Sequence, residues 1–180
     1  MIKKEFIGID IGTNGGIAII DENAKLIFTA TIPKIGGRVD VHQFNKLIKS
    51  FKERVEYNHV IIEDLHSIFQ VGAKSNWQFG WINGVTESLL VANDLSYTKI
   101  SPKTWQKIIW QGIRPIEINT GKLTKKGEIK YKIDTKKTTL LAIKRIYPNA
   151  DFTISERAKK EHDGIIDSVA LARYCYLTLK

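Results

Sequence analysis

Four carboxylates stand where a folded chain ordinarily avoids placing them. Asp10 closes the apolar run Ile7-Gly8-Ile9, Glu63 closes Val60-Ile61-Ile62, and Asp163 and Asp167 lie four apart in a segment patterned as a helix. Residues four apart on a helix share a face, with Cβ atoms roughly 5–6 Å apart, so two acids placed there repel each other. That repulsion, and the desolvation cost of acids at the ends of core strands, is offset if the four jointly hold a divalent cation. Hard oxygen donors of this kind select Mg²⁺ or Mn²⁺, and no cluster of Cys and His spaced for zinc competes. Two such ions about 3.5–4 Å apart can activate a water and stabilise the leaving oxygen in phosphodiester hydrolysis. Each acid also has a plainer reading: Asp10 as a turn former before Gly12, Glu63 as a strand-end surface residue, Asp163 and Asp167 as acids favoured by a helix N-terminus. Their coincidence in one chain is what points to a cation site. His162, next to Asp163, is a candidate auxiliary to the metal or the water, against the ordinary structural reading of a lone histidine.

The charge of the chain points the same way. The formal net charge is +9, with a pI of about 9.5, and it is unevenly placed. Residues 1–90 carry 10 Lys+Arg against 10 Asp+Glu, whereas residues 91–180 carry 18 against 9. A basic excess of this size is the electrostatic footprint of a nucleic-acid partner, the plainer alternative being a solvated lysine-rich surface. An anionic membrane surface has less to recommend it, because no basic amphipathic helix with a clean apolar face stands out. No run of about 18 apolar residues occurs, so no segment is expected to span a bilayer. No apolar signal region lies between Met1 and the first strand, and the single Cys175 cannot form an internal disulfide, which together lead to the expectation of a cytoplasmic protein.

These residues must be positioned by one domain, since 180 residues do not supply two comfortable cores. Glu5 to Asp10, Ile17 to Asp21 and about Lys25 to Ile32 read as three strands joined by tight turns, an antiparallel meander. Asp40 to Tyr57 has the apolar spacing of a helix, with Asp40 as N-cap, and His59 to Glu63 reads as a strand. Ser75 to Ala92 reads as a helix apolar nearly all round, with Trp77, Trp81, Val85 and Leu89 among the residues that need cover. Such a helix is buried on both sides, one against the sheet and the other against a second subunit. Tyr97 to Ser101 is a strand, Pro102 starts a short helix, and residues 112–134 dissolve into Gly, Thr and Lys, a mobile basic loop or hairpin. Thr135 to Tyr147 and Glu161 to Leu179 are the last helices, the first of them stopped by Pro148. The order implies an α/β domain with a mixed sheet and helices packed on it. The turn Asp10 to Gly16 also suits close backbone approach to a phosphate, but ATPases built on such turns need two domains of this kind.

The run Ile9-Asp10-Ile11-Gly12, the strand Ile61-Ile62-Glu63 with His66, the helix Ser75 to Gly80 with Gly84, the segment Ser101 to Gln106, the helix start Asp134-Thr135-Lys136-Lys137 and the stretch His162 to Ala172 together resemble the RuvC-like Holliday junction resolvases, most of all their phage type. The resemblance runs in order from about residue 5 to 176. It implies an RNase H-like fold with a mixed five-stranded sheet, a homodimer, and paired symmetric nicks across a four-way DNA junction. It also implies a catalytic and metal site of Asp10, Glu63, Asp163 and Asp167 holding two Mg²⁺, with Mn²⁺ as a substitute. The bacterial branch spaces its two helix acids three apart; here Gly164 occupies that place, so Asp163 and His162 remain alternatives for the metal-facing position. Phe69 falls where the family carries an aromatic that stacks near the branch point, and Trp77 to Leu90 corresponds to its dimer helix. Lys74, Lys103, Lys107, Lys136 and Lys137, with Lys122, Lys125, Lys126, Lys130 and Lys132 of the loop, are then expected to hold DNA phosphates and read little sequence. Rival readings are a less selective RNase H-like nuclease that cuts forks, flaps or RNA–DNA hybrids, a protein that binds branched DNA without cutting it, and an actin-like ATPase module.

Overall fold

The structure, a computed structural model, describes residues 4–12, 14–53, 57–64, 72–155 and 157–179. Strands β1 (Lys4–Ile9), β2 (Gly16–Asp21) and β3 (Leu26–Thr31) form the antiparallel meander expected from the turn residues between them. A two-residue hairpin, β4 (Lys34–Ile35) and β5 (Arg38–Val39), follows; its turn residues Gly36 and Gly37 have φ of 57° and 76°, which only glycine adopts without strain. Helix α1 (Val41–Lys52) starts where Asp40 accepts the Gln43 N–H at 3.0 Å. It ends five residues before the expected Tyr57, because the chain must already be extended at Tyr57 to run beside β1 as β6 (Tyr57–Glu63).

Helix α2 (Ala73–Ala92) crosses back to β7 (Tyr97–Ile100), and α3 (Pro102–Ile109) begins with its proline at the first turn. Residues 112–134 contain a second antiparallel hairpin, β8 (Glu117–Leu123) and β9 (Ile129–Ile133), the second of the two forms expected for this stretch. Helix α4 (Thr135–Ile146) is capped by Asp134, which accepts the Lys137 N–H, and α5 starts at Asp163, two residues later than expected, and runs to Leu179.

The main sheet has the order β3-β2-β1-β6-β7, with β6 and β7 parallel to β1. Alternation along the strands splits the core in two. Phe6, Ala18, Ile20 and Ile61 face the layer of α3, α4 and α5, while Ile7, Ile9, Ile17, Ile19, Val60 and Ile62 pack with Phe44, Ile48, Phe51, Ile82 and Leu90 of α1 and α2. Helix α5 lies directly on the centre of the sheet, against β1 and β2. It comes so close that a Cβ added at Gly8 would overlap the Ser168 carbonyl oxygen and the Ala172 nitrogen. No helix of the described residues is long and apolar enough to cross a membrane.

Candidate functional site

Parallel strands carry their ligand sites beyond their carboxyl ends, where the chain leaves the sheet and opens a crevice. Here β1 and its parallel neighbour β6 end together, Ile9 paired with Ile62, so Asp10 and Glu63 emerge side by side. The third contribution comes from the N-terminus of α5. Glycines make its approach possible: Gly15 bridges Gly164, and a Cβ at Gly164 would overlap the Asn14 carbonyl oxygen. Asp163 and Asp167 are thereby brought to the turn that follows Asp10.

All four acids line one open cavity of about 700 Å³, together with Gly12, Asn14, Phe79, Lys136, Lys159, Lys160 and His162. Their electrostatics are those of crowded carboxylates. Burial, followed by the charges of Glu63 and Asp163, pushes Asp167 up to about 7. Asp10 is raised well above the usual carboxylate range, by burial and then by Asp167 and Glu63. Burial also raises Glu63, against the opposing effect of the Trp105 indole N–H, which donates to Glu63 Oε1 at 3.0 Å. Trp105 is itself buried, so this donor is fixed in place. Lys136, from the first turn of α4, reaches Asp163 at 2.6 Å.

The donor set suits a hard divalent cation: four carboxylates from three separate elements, each paying for its neighbours' charge, with oxygen the sole ligand type among them. Among the described residues no group of three or more His, Cys, Asp or Glu side chains is placed to hold a metal ion. His162 has a task of its own. Its Nδ1 accepts the Ile165 N–H at 3.3 Å and its backbone N–H donates to Phe152, so the ring caps α5, and burial lowers its pKa toward the neutral form.

The remaining expected contacts divide. Lys136 lines the cavity, whereas Lys74, Lys103 and Lys107 are exposed on α2 and α3 outside it, and Lys137 is engaged with Asp134 at 3.3 Å. Phe69 and His66 lie outside the described residues. On α2, Trp77 and Trp81 are open and stack on each other with ring centroids 6.4 Å apart, while Val85 and Leu89 pack partly against the core. The sequence reading passed over Trp105 as a partner of Glu63, and over Asn14, Lys159 and Lys160 as lining residues. The one available signal was the basic pair Lys159-Lys160 immediately before Glu161-His162-Asp163.

No protein-family model matches the chain, and no curated protein matches it. Solved structures do. One is Thermus thermophilus RuvC in complex with a Holliday junction substrate, with a TM-score of 0.55 and 11% identity over 97% of this chain and 92% of that one. Another is a Thermus thermophilus RuvC structure, with a TM-score of 0.53 and 14% identity over 96% and 92%. The chain has the RNase H-like fold of these proteins, a mixed five-stranded sheet flanked by helices.

Proposed function

We propose that this chain is a metal-dependent endonuclease that resolves four-way DNA junctions, working as a homodimer. One observation carries the reading. The carboxylates that stand out in the sequence, far apart along it, meet in one cavity at the carboxyl ends of β1 and β6, in a fold shared with RuvC. The exposed Trp77 and Trp81 on α2 would provide the contact for a second copy.

Asp10, Glu63, Asp163 and Asp167 would hold Mg²⁺ or Mn²⁺, and a bound pair of such ions would supply an activated water and counter-charge for the leaving oxygen. The chain's own residues do the rest. The Trp105 N–H fixes one oxygen of Glu63, leaving the other directed elsewhere. Burial and mutual repulsion raise the pKa of Asp10 and Asp167, so a bound cation would take the place of a proton there. Lys159 and Lys160 on the cavity wall attract the phosphate that acids alone would repel.

Asp10→Asn and Glu63→Gln test the assignment. Both variants are expected to bind a synthetic four-way junction at least as tightly as the wild type, because each removes negative charge near phosphate. Cleavage should fall by about 10²–10³-fold, the size of loss that follows removal of a central electrostatic group. Cleavage within tenfold of wild type in either variant would remove that residue from the site.

A further inference from the structure

Lys136 lies within the cavity that gathers Asp10, Glu63, Asp163 and Asp167, and its ammonium is 2.6 Å from Asp163 Oδ2. It sits in the first turn of α4, which Asp134 caps, and α4 packs on α5. Asp167 and Asp10 attract it as well. A lysine meant solely for DNA would point away from acids that compete with phosphate. This one is turned inward, and the acid it holds is one of those needed by a cation.

Resting on the metal-dependent reading above, we infer that Lys136 is a resident counter-ion: without a divalent cation its ammonium occupies part of the carboxylate cluster by binding Asp163, and an entering cation displaces it toward the DNA backbone. Cation and DNA binding are then linked through one side chain. The cation frees a positive group for a phosphate, and by reciprocity DNA that engages the ammonium opens the cluster to the cation by the same factor. Lys136 is a positioning residue in this scheme, acting through Asp163.

Calorimetric titration of the full chain with Mn²⁺, without DNA, tests the first half. Lys136→Met removes the competitor and is expected to bind Mn²⁺ about threefold to fivefold more tightly, the range set by a largely exposed ion pair. Lys136→Arg, which keeps the charge, should stay near wild type. The side chain is 66% exposed, so both variants are expected to fold, as circular dichroism would check. The second half is read on a non-cleavable four-way junction. Wild-type binding should depend more steeply on salt in Mn²⁺ than in EDTA by a slope of about 0.9, one additional phosphate contact, while Lys136→Met shows no such change. Mn²⁺ binding to Lys136→Met no tighter than to wild type, or a slope change that survives in it, would overturn the inference and leave the nuclease reading intact. If wild type binds no Mn²⁺ at all, the metal reading falls and this inference with it.

Discussion

Asp167 shows how one residue carries both the cost and the use of the site. Its folded pKa of about 7 lies above the roughly 3.9 of a free aspartate, so between about pH 4 and 7 the folded chain holds a proton that the unfolded chain has released. Stability contributed by this group therefore falls as pH rises through that window. Asp10 and Glu63, raised like Asp167, act in the same sense, and His59 and His162, whose pKa values are lowered by burial, act in the opposite sense below about pH 6.5. The comparison with Asp167→Asn therefore reads Asp167 together with its coupling to Asp10 and Glu63. In metal-free buffer the wild type is expected to lose melting temperature relative to Asp167→Asn between pH 5 and 7.5. Excess Mg²⁺ should restore it at pH 7.5 and do little at pH 5. Parallel melting curves for the two proteins across this range would contradict the assignment of the proton to Asp167. Trp105 makes a second point at this scale. Trp105→Phe keeps the ring in the core but withdraws the donor from Glu63, and should cost about 1 kcal/mol in stability while weakening Mn²⁺ binding several-fold by calorimetry. The acids were legible because carboxylates at the ends of apolar strands are conspicuous. The partnership of Trp105 with Glu63, 42 residues away, was not, since a tryptophan in an amphipathic helix reads simply as core.

Among the elements, α5 decides the geometry. It can deliver Asp163 to the turn after Asp10 only because Gly164 presents no side chain to Asn14 and Gly15. Gly164→Ala should cost about 1–3 kcal/mol by overpacking, and should also displace Asp163 and Asp167 from Asp10. The expected sign is a loss of Mn²⁺ affinity larger than thermal destabilisation alone explains, measured below the melting transition. Unchanged Mn²⁺ affinity would show that the glycine serves packing alone. In the sequence, Gly15 and Gly16 read as turn residues and nothing more, because a close approach between segments some 150 positions apart leaves no local pattern. Turn residues located the meander, and periodicity located both crossover helices and the start of α4, each governed by contacts within a few residues. It overran the end of α1, where the demand of β6 to pair with β1 overrides local helix preference. The β4–β5 hairpin was too short for a pattern to register.

At the scale of the whole molecule, basic charge and apolar surface meet on the β8–β9 hairpin, where Leu123, Ile129, Tyr131 and Ile133 are exposed, while α2 carries an apolar surface with little charge. The positive excess belongs to the second half of the chain, including the β8–β9 hairpin with Lys122, Lys130 and Lys132 around a shallow cavity. The open tryptophans sit on α2 in the first half. The outward line Trp77, Gly80, Trp81, Gly84 and Ser88 combines large and small side chains as a self-complementary contact would. Trp81→Glu is expected to convert a dimer into a monomer by sedimentation and to uncouple the two nicks of a junction. A wild type that sediments as a monomer at micromolar concentration would remove this part of the account. The mixed sheet was foreshadowed by element order, whereas the pairing of Lys136 with Asp163 emerges only when α4 and α5 are packed together. The most direct measurement of the central claim compares the purified protein on a synthetic four-way junction and on linear duplex of the same sequence, each with Mg²⁺ and with EDTA. The account predicts paired, symmetric nicks in the junction with Mg²⁺ and none in the other three reactions. Equal cutting of linear duplex, or tight junction binding with no Mg²⁺-dependent cleavage, would contradict it.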